Sequence, residues 1–226
     1  MIQNIEIPKV VPFIALDGTV LFPQAIMPLF IFEPRYRKML HDVLSADRVF
    51  AVATLDEGSQ GAPLREPVHS VAGIGIIRAC KQNSDGNLNL ILQGIARARF
   101  ETVIHDKPYQ RASIQQIVSE PGGTHEQIDS MKTQLIHLIQ TQQRLGASIP
   151  KEIFLFLSNV DDPESMLDLS IYTLCKSTIL KLELLETDNI FSRFEKFIHF
   201  LEEDIRRLKL NKRLKGNLDD NDIGNN

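Results

Sequence analysis

The sequence predicts an α+β fold in which a β-rich region at residues 1–120 precedes a helical bundle at residues 121–215. In the first half, short apolar runs alternate with polar residues at a period of two, which is typical of half-buried strands. In the second half, apolar residues recur every three or four positions, as on one face of a helix. The Pro- and Gly-containing segment 120–124 separates the two patterns and therefore predicts the domain boundary.

Short apolar runs in the first half are predicted strands. Leu88, Leu90 and Leu92 fall on one face of such a run. Asp85-Gly86 lies between two runs and predicts a tight hairpin, because glycine accepts the positive φ of such turns. The predicted strands are residues 10–16, 25–32, 48–54, 71–80, 88–93, 95–104 and 109–118.

One helix is predicted inside the β-rich half, beginning at Glu33-Pro34. Proline is tolerated in a first helical turn, where its missing N–H costs no hydrogen bond. Tyr36, Met39 and Val43 then recur at helical spacing, so this segment is expected to pack one face against the strands.

The second half contains apolar stripes at helical spacing, which predict helices packed into a bundle. The segment Asp161-Asp162-Pro163-Glu164 is typical of a helix start. Residues 216–226 are rich in Asn, Asp and Gly, and we expect them to form a disordered tail because they offer little apolar surface to offset ordering. The stripes span residues 128–145, 150–157, 166–174 and 190–208.

Composition and charge argue against several classes of protein. The chain is 43% apolar and 24% charged, as ordinary globular proteins are. Its net charge of −4 disfavours a nucleic-acid binder, which needs a surplus of Lys and Arg. The apolar stretch 10–32 is interrupted by Asp, Gly and Pro, so no membrane helix is predicted, and the N-terminus lacks a secretory pattern. A cytoplasmic location is therefore expected.

The sequence contains none of the short motifs that usually carry catalysis or cofactor binding. There is no G-K-S or G-K-T phosphate loop, no G-x-S-x-G, no H-E-x-x-H and no C-x-x-C. The histidines and the two cysteines share no metal-ligand spacing, so we expect no metal and no cofactor. Gly73-Ile74-Gly75 lies inside a strand-like run, where glycine usually marks a bulge or a close backbone approach. We expect no catalytic residues, with a hydrolase whose residues converge only in space as an alternative.

Several motifs follow one another in a fixed order along the chain. They are P-F-I-A-L-D-G-T-V-L-F-P at 12–23, P-L-F-I-F-E-P-R-Y at 28–36, G-I-G-I-I at 73–77, D-G-N-L-N-L-I-L-Q-G-I-A-R-A-R-F at 85–100 and P-Y-Q-R-A at 108–112. In this order and spacing they resemble the substrate-recognition N-domain of Lon-type proteases, and the resemblance extends loosely to residue 205. Gln24 stands where that family often has glycine, a departure that concerns the turn geometry.

The resemblance implies a PUA-like pseudo-barrel with one inserted helix, followed by the helical bundle. It also implies a non-catalytic module that binds unfolded or tagged protein segments, as an adaptor for proteolysis or quality control that works with a protease or a chaperone. The ATPase and peptidase of a full Lon protease have no counterpart in this sequence, so no enzymatic activity is expected. The alternative is an RNA-binding PUA-like protein, which the acidic charge and the lack of tryptophan disfavour.

The candidate peptide-binding residues are Phe32, Glu33, Pro34, Arg35 and Tyr36. In a binding site, the charged pair would orient a peptide and the rings would supply burial. In a structural corner, Pro34 would begin the helix, Tyr36 would fill the core, and Glu33 would pair with Arg35. The structural interpretation is favoured, because such short motifs usually encode local geometry.

Four phenylalanines of the β-rich half present the same choice between core and surface. Phe13, Phe22, Phe30 and Phe32 could together line an apolar groove for extended chains. Strand core is the expectation for most of them, because phenylalanine is usually buried.

Overall fold

The computed structural model describes residues 6–56 and 67–221, with side chains described as far as residue 214. The chain divides into two compact units. The first comprises Met1–Val118 and Cys175–Asp188, and the second comprises Ser119–Leu174 and Asn189–Asn226. The strands are β1 Val10–Leu16, β2 Ile26–Ile31, β3 Val49–Leu55, β4 Val68–Gln82, β5 Leu88–Ile104 and β6 Arg111–Ile117. The helices are α1 Pro34–Leu44, α2 His125–Arg144, α3 Lys151–Ser158, α4 Pro163–Leu174, α5 Thr178–Glu186 and α6 Ile190–Asn221.

The described strands of the first unit form one sheet with the order β2-β5-β4-β3-β1-β6. Strand β5 also pairs with β6, so five strands close into a barrel and β2 lies outside it on the free edge of β5. The β1–β3 pair is parallel and the other pairs are antiparallel. This mixed fold confirms the predicted α+β class and the β-rich first half.

The barrel interior is filled by alternating small and large apolar side chains. Phe13 lies 4.9 Å from the ring of Phe100, measured between centroids. Alanines fill many of the neighbouring positions, because the interior of a small barrel leaves room for few large side chains. The buried cluster comprises Val11, Phe13, Val49, Ala51, Ala53, Ala72, Ile74, Ala96, Ala98 and Ala112.

Two glycines let the segment before β2 cross the sheet closely. A Cβ added to Gly73 would lie 2.0 Å from the Leu21 carbonyl oxygen, and one added to Gly94 would lie 2.0 Å from the Phe22 carbonyl oxygen. The close backbone approach predicted at Gly73 is therefore confirmed. At Gly94, the two strands predicted as 88–93 and 95–104 are in fact the single strand β5, because glycine continues the strand where a side chain could not fit.

The first unit also contains α1 and α5. The predicted helix after Glu33 is confirmed as α1, which buries Tyr36 and Met39. Helix α5 lies within the predicted helical region 121–215, yet it packs on β4 and β5 and belongs to the first unit. The buried guanidinium of Arg97 holds it by donating hydrogen bonds to the carbonyl oxygens of Leu185 and Thr187, at 3.1 and 2.7 Å. A division of the chain at residue 120 therefore leaves out one element of the first unit.

The second unit is built from α2, α3, α4 and α6. Helix α2 begins with a capping box in which Thr124 and Gln127 exchange side-chain to backbone hydrogen bonds. Inside the unit, the buried Arg193 of α6 donates to the Asp168 carboxylate of α4 over 2.6 Å. Removing one partner of such a pair strongly destabilises a protein, because the other charge remains buried without a partner.

Helix α6 extends further than predicted. Residues 216–221, which were expected to belong to a disordered tail, continue the helix to Asn221. Adding residues to an established helix costs much less than nucleating one, which explains the extension through a polar sequence. Residues 222–226 of the predicted tail lie outside the described residues. Within the described part of the chain, no helix has the length and apolar character needed to cross a bilayer.

Candidate functional site

An open groove of about 430 Å³ lies on the outer part of the first unit, where β2, β5 and the end of β4 lie side by side. Its lining is mainly apolar. Three strands contribute three residues each, which are Pro28, Leu29 and Phe30, Ala79, Cys80 and Lys81, and Asn89, Leu90 and Ile91.

The strand register arranges the exposed lining in two rows. Pro28 is opposite Ile91, and Ile91 is opposite Ala79, which gives an apolar row across the three strands. Residues directly opposite one another in adjacent strands point to the same face. The other row runs in the same way from Phe30 through Asn89 to Lys81, so it begins with an aromatic ring and ends with an ammonium group.

Large apolar side chains stand in solvent along β2. Ile26 is 50% exposed, Phe30 is 53% exposed and Phe32 is 60% exposed, and Ile91 adds a further exposed side chain from β5. The rings of Phe30 and Phe32 lie 6.1 Å apart between centroids. Clusters of exposed apolar side chains usually mark binding sites, because water would otherwise favour their burial.

Strand β2 pairs with β5 along one side, and among the described residues no other strand pairs with it. Pro28 lies in its middle, where the missing N–H is tolerated only in an edge strand. The groove therefore lies on one face of β2, β5 and β4 and is bordered by the free edge of β2.

The five sequence-predicted site residues lie at the end of β2 and the start of α1, next to the groove. Phe32 is exposed, and Glu33 is the N-cap residue ahead of Pro34, which begins the helix. The Glu33 carboxylate accepts a hydrogen bond from Arg35 Nε at 2.8 Å, and both side chains are partly exposed.

Tyr36 is the exception among these five residues. Its side chain is only 5% exposed, and the backbone N–H of Ala15 donates to its hydroxyl oxygen at 3.1 Å. The Arg35 guanidinium covers the ring at 4.4 Å from the centroid. Tyr36 is therefore a core residue, as in the favoured structural interpretation, and its buried ring leaves little surface for contact with a peptide.

The four candidate phenylalanines of the β-rich half differ in burial according to their position in the chain. Phe13 and Phe22 are fully buried, as expected, whereas Phe30 and Phe32 are exposed. One signal in the sequence could have identified the second pair. The segment 26–32 is apolar on both alternating faces, while an antiparallel sheet commonly buries only one face.

The charge of the described groove lining comes from a single side chain. Lys81 is the one charged side chain among its described lining residues. The neighbouring Cys80 is half-buried, and burial raises the pKa of its thiol above the usual value. The groove therefore combines an apolar floor with one cation and an uncharged thiol.

A second polar cluster of the first unit surrounds Asp42. Its carboxylate accepts hydrogen bonds from the Tyr109 hydroxyl at 2.8 Å and from Lys107 at 3.1 Å, and Lys38 lies at 3.0 Å. These donors, Tyr109 first, hold the pKa of Asp42 well below its usual range. The cluster ties α1 to the segment before β6. Among the described residues there is no group of three His, Cys, Asp or Glu side chains suited to a metal ion.

Comparison with known proteins gives a consistent match. The family model of the ATP-dependent protease La (LON) substrate-binding domain matches residues 10–203. A Lon protease of Dictyoglomus thermophilum is 25% identical over 217 residues, which cover 94% of this chain and 27% of that protein. A Lon protease of Desulfosudis oleivorans is 27% identical over 214 residues, which cover 94% and 26%. The chain thus spans about a quarter of the length of these relatives.

Solved structures share the fold. The N-terminal domain of the Mycobacterium avium complex Lon protease matches with a TM-score of 0.64 and 18% identity, covering 86% of this chain and 98% of that one. A Lon N-terminal domain protein from Xanthomonas campestris matches with a TM-score of 0.60 and 20% identity, covering 84% and 97%. Identities this low support a common fold.

Proposed function

Because the chain belongs to the family of Lon substrate-binding domains, we propose that it binds exposed apolar segments of other polypeptides in the groove formed by β2, β5 and β4. The observation that carries the proposal is the exposed pair Phe30 and Phe32 beside Ile91 on a free strand edge. A folded domain gains stability by hiding such side chains, so their exposure on one edge is best explained by a ligand that covers them.

The energetics favour weak and reversible binding. Covering a large apolar side chain that is already half-buried contributes about 1 kcal/mol. Association costs at least about 4 kcal/mol of translational and rotational freedom, so the few exposed side chains of the groove barely offset it. A segment needs several apolar residues in succession to remain bound. This requirement separates unfolded chains, which expose such runs, from folded proteins, which bury them.

The proposed role of the described residues is binding without catalysis. Cys80 is the one thiol among the described lining residues, and its raised pKa keeps it in the weakly reactive thiol form. We propose that the chain acts as an adaptor in proteolysis or quality control that passes its clients to a protease or a chaperone. RNA binding has less support, because single strands require a basic groove and this one carries a single cation among its described lining.

The proposal can be tested with a protein that exists in both folded and permanently unfolded forms, such as lactalbumin before and after reduction and carboxymethylation. The labelled forms are titrated with the purified chain, and fluorescence anisotropy reports binding. We expect binding of the unfolded form alone. The double variant Phe30→Thr with Ile91→Thr retains strand-forming residues and should bind about 30-fold more weakly, since about 1 kcal/mol is lost at each of the two sites.

Val118→Thr is the matched control, because Val118 is an exposed apolar residue of the first unit outside the groove lining. Its affinity should equal that of the unsubstituted protein. Equal weakening by the control and the groove variant would place binding elsewhere on the surface, and equal binding of folded and unfolded lactalbumin would contradict the proposed recognition.

A further inference from the structure

Lys81 is positioned to interact electrostatically with a segment bound in the groove. It is exposed, and among the described residues it forms no ion pair with a carboxylate. The side chains that share the groove with it are apolar or uncharged. A negatively charged group entering the groove would therefore meet an uncompensated cation, whereas a positively charged group would meet repulsion.

The register fixes the distance between this cation and the apolar anchor point. Lys81 is opposite Asn89, and Asn89 is opposite Phe30, so two inter-strand spacings separate Lys81 from Phe30. Two such spacings are about 10 Å, and an extended chain advances about 3.3 Å per residue. A carboxylate two or three residues from a side chain seated on Phe30 would come within reach of Lys81.

We propose that the groove selects apolar segments that carry an Asp or Glu two or three residues from a large apolar anchor, and that Lys81 sets this preference. The inference rests on the proposed function, because it specifies which segments the same groove prefers. Ion pairs between exposed groups are worth little in water. The preference is therefore modest, about two- to fivefold in affinity, and it weakens as salt screens the pair.

The test uses three labelled peptides that share one apolar sequence and differ at a single position three residues from its aromatic anchor, where Glu, Gln or Lys is placed. Each is titrated by fluorescence anisotropy against the full chain, Lys81→Glu and Lys9→Glu. Lys9 is an exposed lysine of the first unit outside the groove lining, so Lys9→Glu makes the same change in net charge. Melting temperatures of the three proteins verify that each one is folded.

We expect the unsubstituted protein and Lys9→Glu to bind the Glu peptide two- to fivefold more tightly than the Gln peptide, and the Lys peptide more weakly still. Lys81→Glu should reverse the order. If the three peptides bind equally, or if the order stays the same in Lys81→Glu, the charge preference is refuted while apolar binding stands. If no peptide binds any of the proteins, both the preference and the proposed function are refuted.

Discussion

Phe30 and Phe32 place their rings 6.1 Å apart in a tilted arrangement on the exposed side of the first unit. A single aliphatic or aromatic side chain of a ligand can contact both rings at that separation. The pair is thus a preformed apolar contact that requires little rearrangement before binding. This property lowers the entropic cost of association at the groove.

Substitution of Phe30 is expected to leave the stability of the protein nearly unchanged. Phe30→Ala removes a ring that is half exposed already, so the free energy of unfolding should fall by less than about 1 kcal/mol. Phe13→Ala, in the barrel interior, should lower it by about 3–5 kcal/mol because it leaves a cavity. Urea denaturation measures both values. Similar losses for the two variants would show that Phe30 is a core residue.

Arg97 and its neighbour Arg99 provide a contrast between a buried and an exposed cation. Arg97→Met removes the donors to the Leu185 and Thr187 carbonyl oxygens and should lower the free energy of unfolding by about 2–4 kcal/mol. Arg99 pairs with Glu186 in solvent, so Arg99→Met should cost less than about 1 kcal/mol. Equal costs in urea denaturation would mean that the buried hydrogen bonds do not hold α5.

The Glu33–Arg35 pair, a candidate peptide contact in the sequence, lies next to the groove and can be tested separately from it. Replacing both residues by Ala should weaken binding of an unfolded client, since a charged contact beside Phe32 is lost, while the melting temperature stays nearly constant because the pair is partly exposed. Tyr36→Phe is the complementary variant, which loses the bond to Ala15 and should reduce stability without changing client affinity. Unfolding of the double variant, or its unchanged affinity, would make Glu33 and Arg35 purely structural.

Acid should destabilise the first unit through Asp42. The lowered pKa of this carboxylate means that its contribution to stability is complete above the ordinary carboxylate pKa, near 4, and is lost as the pH falls towards the folded-state value. The melting temperature of the unsubstituted protein should therefore fall more steeply than that of Asp42→Asn as the pH is lowered from about 5 to about 2. Tyr109→Phe, which removes the main donor, should show an intermediate slope. Parallel curves for all three proteins would contradict this account.

Local patterns in the sequence were sufficient for most elements of the fold. Alternation located the strands, and the helical spacing after Pro34 located α1, because both patterns follow directly from which face is buried. The assignment of α5 to the first unit required a tertiary contact. Arg97 reaches it across a long stretch of chain, and nothing in the periodicity of β5 indicates that this arginine, unlike Arg99, is buried.

The candidate site was harder to predict for the same reason. The sequence identified the segment around Phe32 to Tyr36, but the groove also needs Ala79, Lys81 and Ile91, which only the strand register brings together. Phe30 is exposed because its face of β2 is left uncovered, and β2 is also an edge strand of the described sheet. Such an edge position follows from sheet topology, which local periodicity does not encode.

Mapping of amide chemical shifts tests the central claim most directly. The isotope-labelled chain is titrated with an unlabelled peptide that carries a short apolar run. We predict that the largest shift changes occur at residues 26–32, 79–81 and 88–91, with little change in the second unit. The exposed side chains Leu155 and Phe156 of α3 form an alternative apolar surface in the second unit. Largest changes on α3, or no localised change anywhere, would contradict the assignment of the β2 groove as the binding site.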